Sequence, residues 1–311
     1  MAVVFRNPLI SLAVFFAVAL WALLWVLASV LPANAGPFED AETALNNGDY
    51  TTALRLLQTL VDQDNTYAER RLGLMYIQGQ GVPKDYALGM RWMRLAANKG
   101  LAVAQNEVGI LYQRGWGVEQ NDAEAVKWFR LAADQGLVVA QNNLADTYAL
   151  GRGVPQNFDE AFKWYRLAAD QSSSYAENVI GIAYEHGIHV AQDYAEAFRW
   201  YRRAANKIYE RPGDTWIHSP QYNFGAMYAS GHGTGQDYVQ ALMWFNLAAA
   251  FGDIKAPDPF GIDLFGTSKY TALEQRDKLV ALMTSAQIAE AEKLAREWGP
   301  HPIVTIEPGA K

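Results

Sequence analysis

The chain has 311 residues, half of them apolar and 13% aromatic, which is enough to bury a sizeable interior and sets aside a wholly disordered chain. With 26 Lys and Arg against 33 Asp and Glu, its net charge is -7, which argues against nucleic acid as a partner. It has no cysteine, so neither a disulfide framework nor a lipid anchor on a first mature cysteine is available.

Leu9 to Leu31 is a run of 23 residues in which only Ser11 and Ser29 are polar, preceded by Arg6 and followed by Pro32-Ala33-Asn34-Ala35-Gly36. A basic start, an apolar run and an A-x-A site in that order read as a secretory signal over residues 1–35, cut after Ala35. The run is also long enough to span a bilayer, so the alternative is an uncleaved inner-membrane anchor with the rest of the chain facing the periplasm. Either reading places the protein in the bacterial periplasm. Without residues 1–35 the balance becomes 25 basic against 33 acidic residues, a net charge of -8.

Beyond this, KWFRLAADQG at 127–136 returns thirty-six residues later as KWYRLAADQS at 163–172. Trp92, Trp128, Trp164, Trp200 and Trp244 each stand four residues before an Ala-Ala pair. Tyr76, Tyr112, Tyr148, Tyr184 and Tyr228 each stand three before a glycine, Gly79, Gly115, Gly151, Gly187 and Gly231. This is a five-unit array, and each unit reads as two helices. The first helix has apolar residues four apart, such as Ala104, Val108 and Tyr112, beside a small residue: Gly73, Gly109, Ala145, Gly181 or Gly225. A glycine-rich turn ends it. Asp85, Asn121, Asn157, Asp193 and Asp237 are the expected N-caps of the second helix, and Glu124, Glu160, Glu196 or Gln240 three residues on suggests a capping-box variant. A two-helix unit cannot bury its apolar face alone, whereas stacked units bury each other's.

The pattern A-x-x-x-L-G-x-x-Y-x-x-G-x-G-V, then D/N-x-x-E-A-x-x-W-Y/F-x-x-A-A, resembles the Sel1-like repeat family, a relative of the tetratricopeptide repeat. The resemblance implies an all-α fold, an α/α solenoid of two-helix repeats at 66–101, 102–137, 138–173, 174–219 and 220–252. Residues 36–65, with Gly48-Asp49-Tyr50 at their centre, are similar to a tetratricopeptide hairpin and would cap the first stacked face. A linker at 253–269 leads to a second capping pair at 270–299, with Thr284-Ser285-Ala286-Gln287 a capping-box signature at its junction, and residues 300–311 form a tail.

The array breaks its spacing once, by eight residues, between the fourth and fifth units. The insertion at 206–219 carries Tyr209, Trp216 and Ile217, which suit either a binding loop or a segment packed back on the stack.

Few residues suggest chemistry. His186, His189, His218 and His232 fall in the last two units or between them, but their spacing matches no established ligand set and no cysteine supports it. They are weak metal or pH-sensing candidates, and no cofactor is expected. GHGTG at 231–235 lacks the Lys-Ser/Thr of a phosphate loop and follows a helix instead of a strand. No nucleophile or metal-hydrolase motif is present.

What remains is the side of the first helices facing away from their partners. It carries Arg70 and Leu74 in the first unit, then Asn106, Ile110 and Gln113, then Asn142 and Asp146, then Asn178, Ile182 and Glu185, then Tyr222. Asn106, Asn142 and Asn178 at one register are expected to form an exposed ladder on a concave face, able to hold the backbone of an extended partner segment. The resemblance implies a non-catalytic scaffold, adaptor or regulator in the cell envelope, with a protein partner such as a membrane-bound signalling or envelope-assembly protein. Some cysteine-rich relatives are associated with β-lactam binding or hydrolysis, so a cell-wall-related enzyme is the second reading. This chain lacks the cysteines those relatives use.

Overall fold

The computed structural model describes residues 36–206, 220–250 and 272–298, and they form fourteen α-helices with no strand among them. The apolar run at 9–31, the insertion residues Tyr209, Trp216, Ile217 and His218, the linker and the tail lie outside the described residues. No helix among the described residues is long and apolar enough to cross a membrane.

The chain divides into two compact units, at residues 1–96 and 97–311. The first contains α1 (Pro37–Asn46), α2 (Tyr50–Asp62), α3 (Thr66–Gln78) and most of α4 (Tyr86–Asn98). Its core joins Ala41, Leu57, Leu60, Ala68, Leu72 and Met75, with Trp92 packed against them. Asp49 caps α2 through the Thr52 amide at 3.0 Å, and Gly48 takes the left-handed backbone that the tight turn before it requires.

The second unit holds the remaining elements. They are α5 (Ala102–Arg114), α6 (Asp122–Asp134), α7 (Val138–Leu150), α8 (Phe158–Asp170), α9 (Ser174–His186), α10 (Tyr194–Ala205), α11 (Pro220–Ser230), α12 (Tyr238–Ala250), α13 (Ala272–Val280) and α14 (Ser285–Trp298). Consecutive helices pair, α5 with α6 through α11 with α12, and α12 is then covered by α13 and α14. Each pair is locked where a large ring of the second helix meets a small residue of the first. A Cβ on Gly109 would lie 2.5 Å from the Phe129 ring, and one on Gly181 would lie 2.7 Å from the Tyr201 ring. Phe129, Tyr165, Tyr201 and Phe245 at this register are at most 1% exposed, each worth roughly 2–3 kcal/mol of transfer free energy.

The five N-caps form as the spacing predicts: Asp85, Asn121, Asn157, Asp193 and Asp237 accept amide bonds at 2.9–3.0 Å. The reciprocal half of the capping box does not form in these turns. The N-cap amide donates instead to the carbonyl of the repeat tyrosine, Tyr76, Tyr112, Tyr148, Tyr184 or Tyr228, at 2.9–3.0 Å. With that donor satisfied, Glu124, Glu160 and Glu196 turn outward to Lys127, Lys163 and Arg199. The full box does form before α14, where the Thr284 amide donates to Gln287 Oε1 at 2.9 Å and the Gln287 amide donates to Thr284 Oγ1 at 3.3 Å.

The second turn glycine explains how units register on one another. Gly153 has φ +71°, and a Cβ there would overlap the carbonyl of Asp122, at the start of the second helix one unit back. His189 occupies this register one unit later at φ 54°, and its ring stacks on Phe158 at 3.9 Å. At this register the left-handed conformation is thus carried by a non-glycine residue once, with its ring stacked on Phe158. Gly153→Ala combines left-handed strain with overlap and is expected to lower stability by more than about 2 kcal/mol in urea unfolding. A loss under about 0.5 kcal/mol would contradict this registry.

Candidate partner-binding face

Adjacent units are fastened by polar side chains at repeating registers. Gln105, Gln141 and Gln221, buried on the first helices, donate to the carbonyls of Ala97, Ala133 and Ala205 at the preceding second helix's C-terminus, at 3.2–3.5 Å. Glu177 holds the same register and pairs with Arg203 at 3.0 Å, while Arg203 also donates to the Ala169 carbonyl at 3.3 Å. On the other edge, Arg130 and Arg166 donate to the phenols of Tyr148 and Tyr184 in the next unit and lie over Trp164 and Trp200. The sequence shows these registers as aligned Gln and Arg residues, but without the helix crossing nothing ties them to a carbonyl or a ring.

The asparagines belong partly to this framework. Asn106 and Asn178 are only 6% and 3% exposed, instead of forming an open ladder. Asn106 Oδ1 accepts from Asn143 at 2.8 Å and Asn178 Oδ1 accepts from Asn223 at 2.9 Å, each partner lying one register further along the next unit. First helices pack closely enough for these diagonal bonds, which buries both residues, and Ile182 beside them is 2% exposed. Asn142 has no such partner, because its diagonal neighbour is Val179, and its amide nitrogen donates to Ser173 Oγ at 3.0 Å. Asn142, Ile110, Gln113, Asp146, Glu185 and Tyr222 remain half-buried on this face of the second unit. Val139, which the sequence reading did not single out, is 51% exposed there, one turn before Asn142. Arg70 and Leu74 are half-buried on α3 in the first unit.

Two carboxylates on this face are held from beneath. Tyr165 and Tyr175 donate to Asp146 Oδ1 at 2.5 and 2.8 Å, joining α7, α8 and α9, and Tyr201 donates to Glu185 Oε2 at 2.6 Å. Burial raises the Asp146 carboxyl to about 6, against the lowering effect of the two phenols and of Arg152. Burial first, and then the Asp146 charge, pushes the Tyr165 phenol well above its usual value, so it remains a donor.

Among the described residues the histidines His186, His189 and His232 form no metal cluster. His186 lies 3.9 Å from Glu185, His189 stacks on Phe158 and His232 stacks on Tyr194 at 4.2 Å. No group of three His, Asp or Glu side chains is placed to hold a metal among the described residues. An open groove of about 660 Å³ lies elsewhere, between α8 and the turn after α9, lined by Asp159, Phe162, Lys163, Arg166, Leu167 and His189. Its Lys163 is paired with Glu160 and its Arg166 with Tyr184.

Stacked two-helix units with inter-unit polar staples and a half-open face of first helices define a helical-repeat protein. The chain belongs to the Sel1 repeat family, whose pattern matches residues 66–101, 102–137, 138–173, 174–208 and 221–253. It is similar to a Sel1 repeat protein from Oxalobacter formigenes at 30% identity and a TM-score of 0.66, over 84% of this chain and 99% of that one. It is also similar to c5321, a protective antigen of uropathogenic Escherichia coli strains with an SLR fold, at 34% identity and a TM-score of 0.60. That match covers 80% of this chain and 50% of that chain. No curated protein matches the chain. Sel1 repeat proteins generally mediate protein–protein interaction, and their fold is typically a non-catalytic scaffold.

The raised Asp146 carboxyl has a signed consequence. Below pH 3.8 the residue is protonated in both folded and unfolded chains, and its charge carries no penalty. As pH rises from 3.8 through about 6 the unfolded chain ionises first, and the native state loses about 3 kcal/mol. Asp146→Asn keeps an acceptor for the tyrosines without the charge. Urea unfolding is expected to show the variant more stable than wild type at pH 8, by up to about 3 kcal/mol, with the gain vanishing by pH 4. A gain independent of pH would contradict the assignment.

Proposed function

We propose that the protein is an exported scaffold or regulator of the bacterial cell envelope, which holds an extended segment of a partner protein on the first-helix face of its second unit. The observation that carries this reading is the contrast between that face and the rest of the stack. Asn106, Asn178 and Ile182 are buried in the stack, whereas Val139 is 51% exposed and Gln113, Asn142 and Asp146 keep part of their surface in solvent, mixing an apolar contact with amides and a carboxylate. Extended segments are recognised by such combinations of polar groups for the backbone and shallow apolar contacts for side chains. This reading is supported by the basic start, the apolar run and the Ala33-Asn34-Ala35 site, which suit export to the periplasm or anchoring on the outer face of the inner membrane. The partner class that fits this location is a membrane-bound signalling or envelope-assembly protein.

The test is in-cell crosslinking, affinity purification and mass spectrometry on wild type, Val139→Arg, Gln113→Arg and, as a control on α8, Leu167→Ser. The expected result is one partner retained by wild type and the control and reduced at least tenfold in both face variants, with unchanged melting temperatures. Retention in the face variants would place binding elsewhere.

A further inference from the structure

Tyrosine and carboxylate vary together within the repeats. At the second-helix register held by Phe129, Tyr165, Tyr201 and Phe245, a phenol occurs in the two units whose first helix carries an acid on the open face. Tyr165 meets Asp146 and Tyr201 meets Glu185. The units with Phe129 and Phe245 have Ile110 with Gln113 and Ala226 with Ala229 at the matching positions. Phenylalanine fills this space equally well, so the two hydroxyls serve the carboxylates.

At Asp146 that support is one-sided. Both phenols donate to Oδ1, Oδ2 takes no hydrogen bond from the described residues, and the residue as a whole is half-buried. One turn earlier on the same helix, Asn142 Oδ1 is buried and has no partner among the described residues. Both unfilled atoms are acceptors. The charged and titratable groups bearing on Asp146 are Tyr165 from α8, Tyr175 from α9 and Arg152 after α7, and Arg152 is the weakest influence. A carboxylate with only the weak influence of Arg152 to offset its burial is a poor choice for stability, and the same register holds Ile110, Ile182 and Ala226 in other units. The missing component is a positively charged donor.

We propose that Asp146, one turn after Asn142 on α7, receives a lysine or arginine side chain of the partner segment. This rests on the partner-binding reading above and adds the chemistry of the residue recognised. The cation pairs with the Asp146 carboxylate, and its charge favours the ionised form. Burial otherwise holds that group at about 6, so binding strengthens as pH rises through that value.

A random decapeptide display library, selected on the full chain, on Asp146→Asn and on Asp159→Asn as an exposed-carboxylate control, tests the proposal, each protein first being checked by its melt. Wild type and the control are expected to enrich Lys or Arg at one fixed position, and Asp146→Asn to lose that enrichment. A selected peptide should bind Asp146→Asn at least tenfold more weakly. Replacing its basic residue by norleucine should weaken binding to wild type equally, with little further effect on the variant. Binding to wild type should also fall from pH 7.5 to 5, and binding to the variant should not. Enriched peptides without a basic preference, but blocked by Val139→Arg, would overturn the cation site and leave the partner face standing. Failure to select any peptide would overturn both. A basic preference that survives Asp146→Asn, or that Asp159→Asn also abolishes, would overturn the cation site.

Discussion

The backbone bond from each second helix's N-cap amide to the carbonyl of the repeat tyrosine fixes the geometry on which the rest depends. It occurs in all five units at 2.9–3.0 Å. It ties the end of one helix to the start of the next, so the turn between them has little freedom. The left-handed glycine after the first helix, such as Gly151 at φ 66°, makes the reversal possible, and the N-cap side chain satisfies a further amide of the second helix. With the turn fixed, the ring of Phe129 or Tyr201 arrives over the glycine of the facing helix. Identical turns then produce identical pairs, and identical pairs can stack.

Much of this was legible in the sequence because it repeats. Trp, Ala-Ala, Tyr, the turn glycines and the N-caps recur at fixed intervals, and such recurrence specifies two-helix units without knowledge of their packing. The capping box misled in one respect: Glu124 and Glu160 sit at the right spacing, but a tyrosine carbonyl had already claimed the amide they would have met. The asparagines misled for a related reason. Periodicity placed Asn106, Asn142 and Asn178 on one side of their helices but could not show how closely the next first helix approaches. That distance decides whether a short amide faces water or reaches Asn143 or Asn223. Tyr165 and Tyr201 read as core rings, and only their contact with Asp146 and Glu185 gives their hydroxyls a purpose.

The distinctive chemistry lies where a unit departs from its siblings. His189 replaces a glycine and stacks its ring on Phe158. Val179 replaces the asparagine that would have completed the diagonal pair with Asn142, whose amide donates to Ser173 instead. Asp146 replaces an aliphatic residue and places a carboxylate among three helices. The last two changes bear on Asn142 and Asp146, a turn apart on α7, with the exposed Val139 one turn earlier. A repeat array keeps its fold through the shared positions, which leaves positions on its open faces free to acquire specificity. The second unit uses that freedom around α7 and α9.

The most direct measurement places a photo-crosslinking amino acid at Val139, on the first-helix face, and separately at Leu131, on the exposed side of α6, in the full chain inside cells. Crosslinked products are then mapped by mass spectrometry. The account predicts one short, linear segment of a single envelope protein crosslinked from position 139 and absent from position 131. Crosslinks from 131 to the same segment, with none from 139, would contradict it.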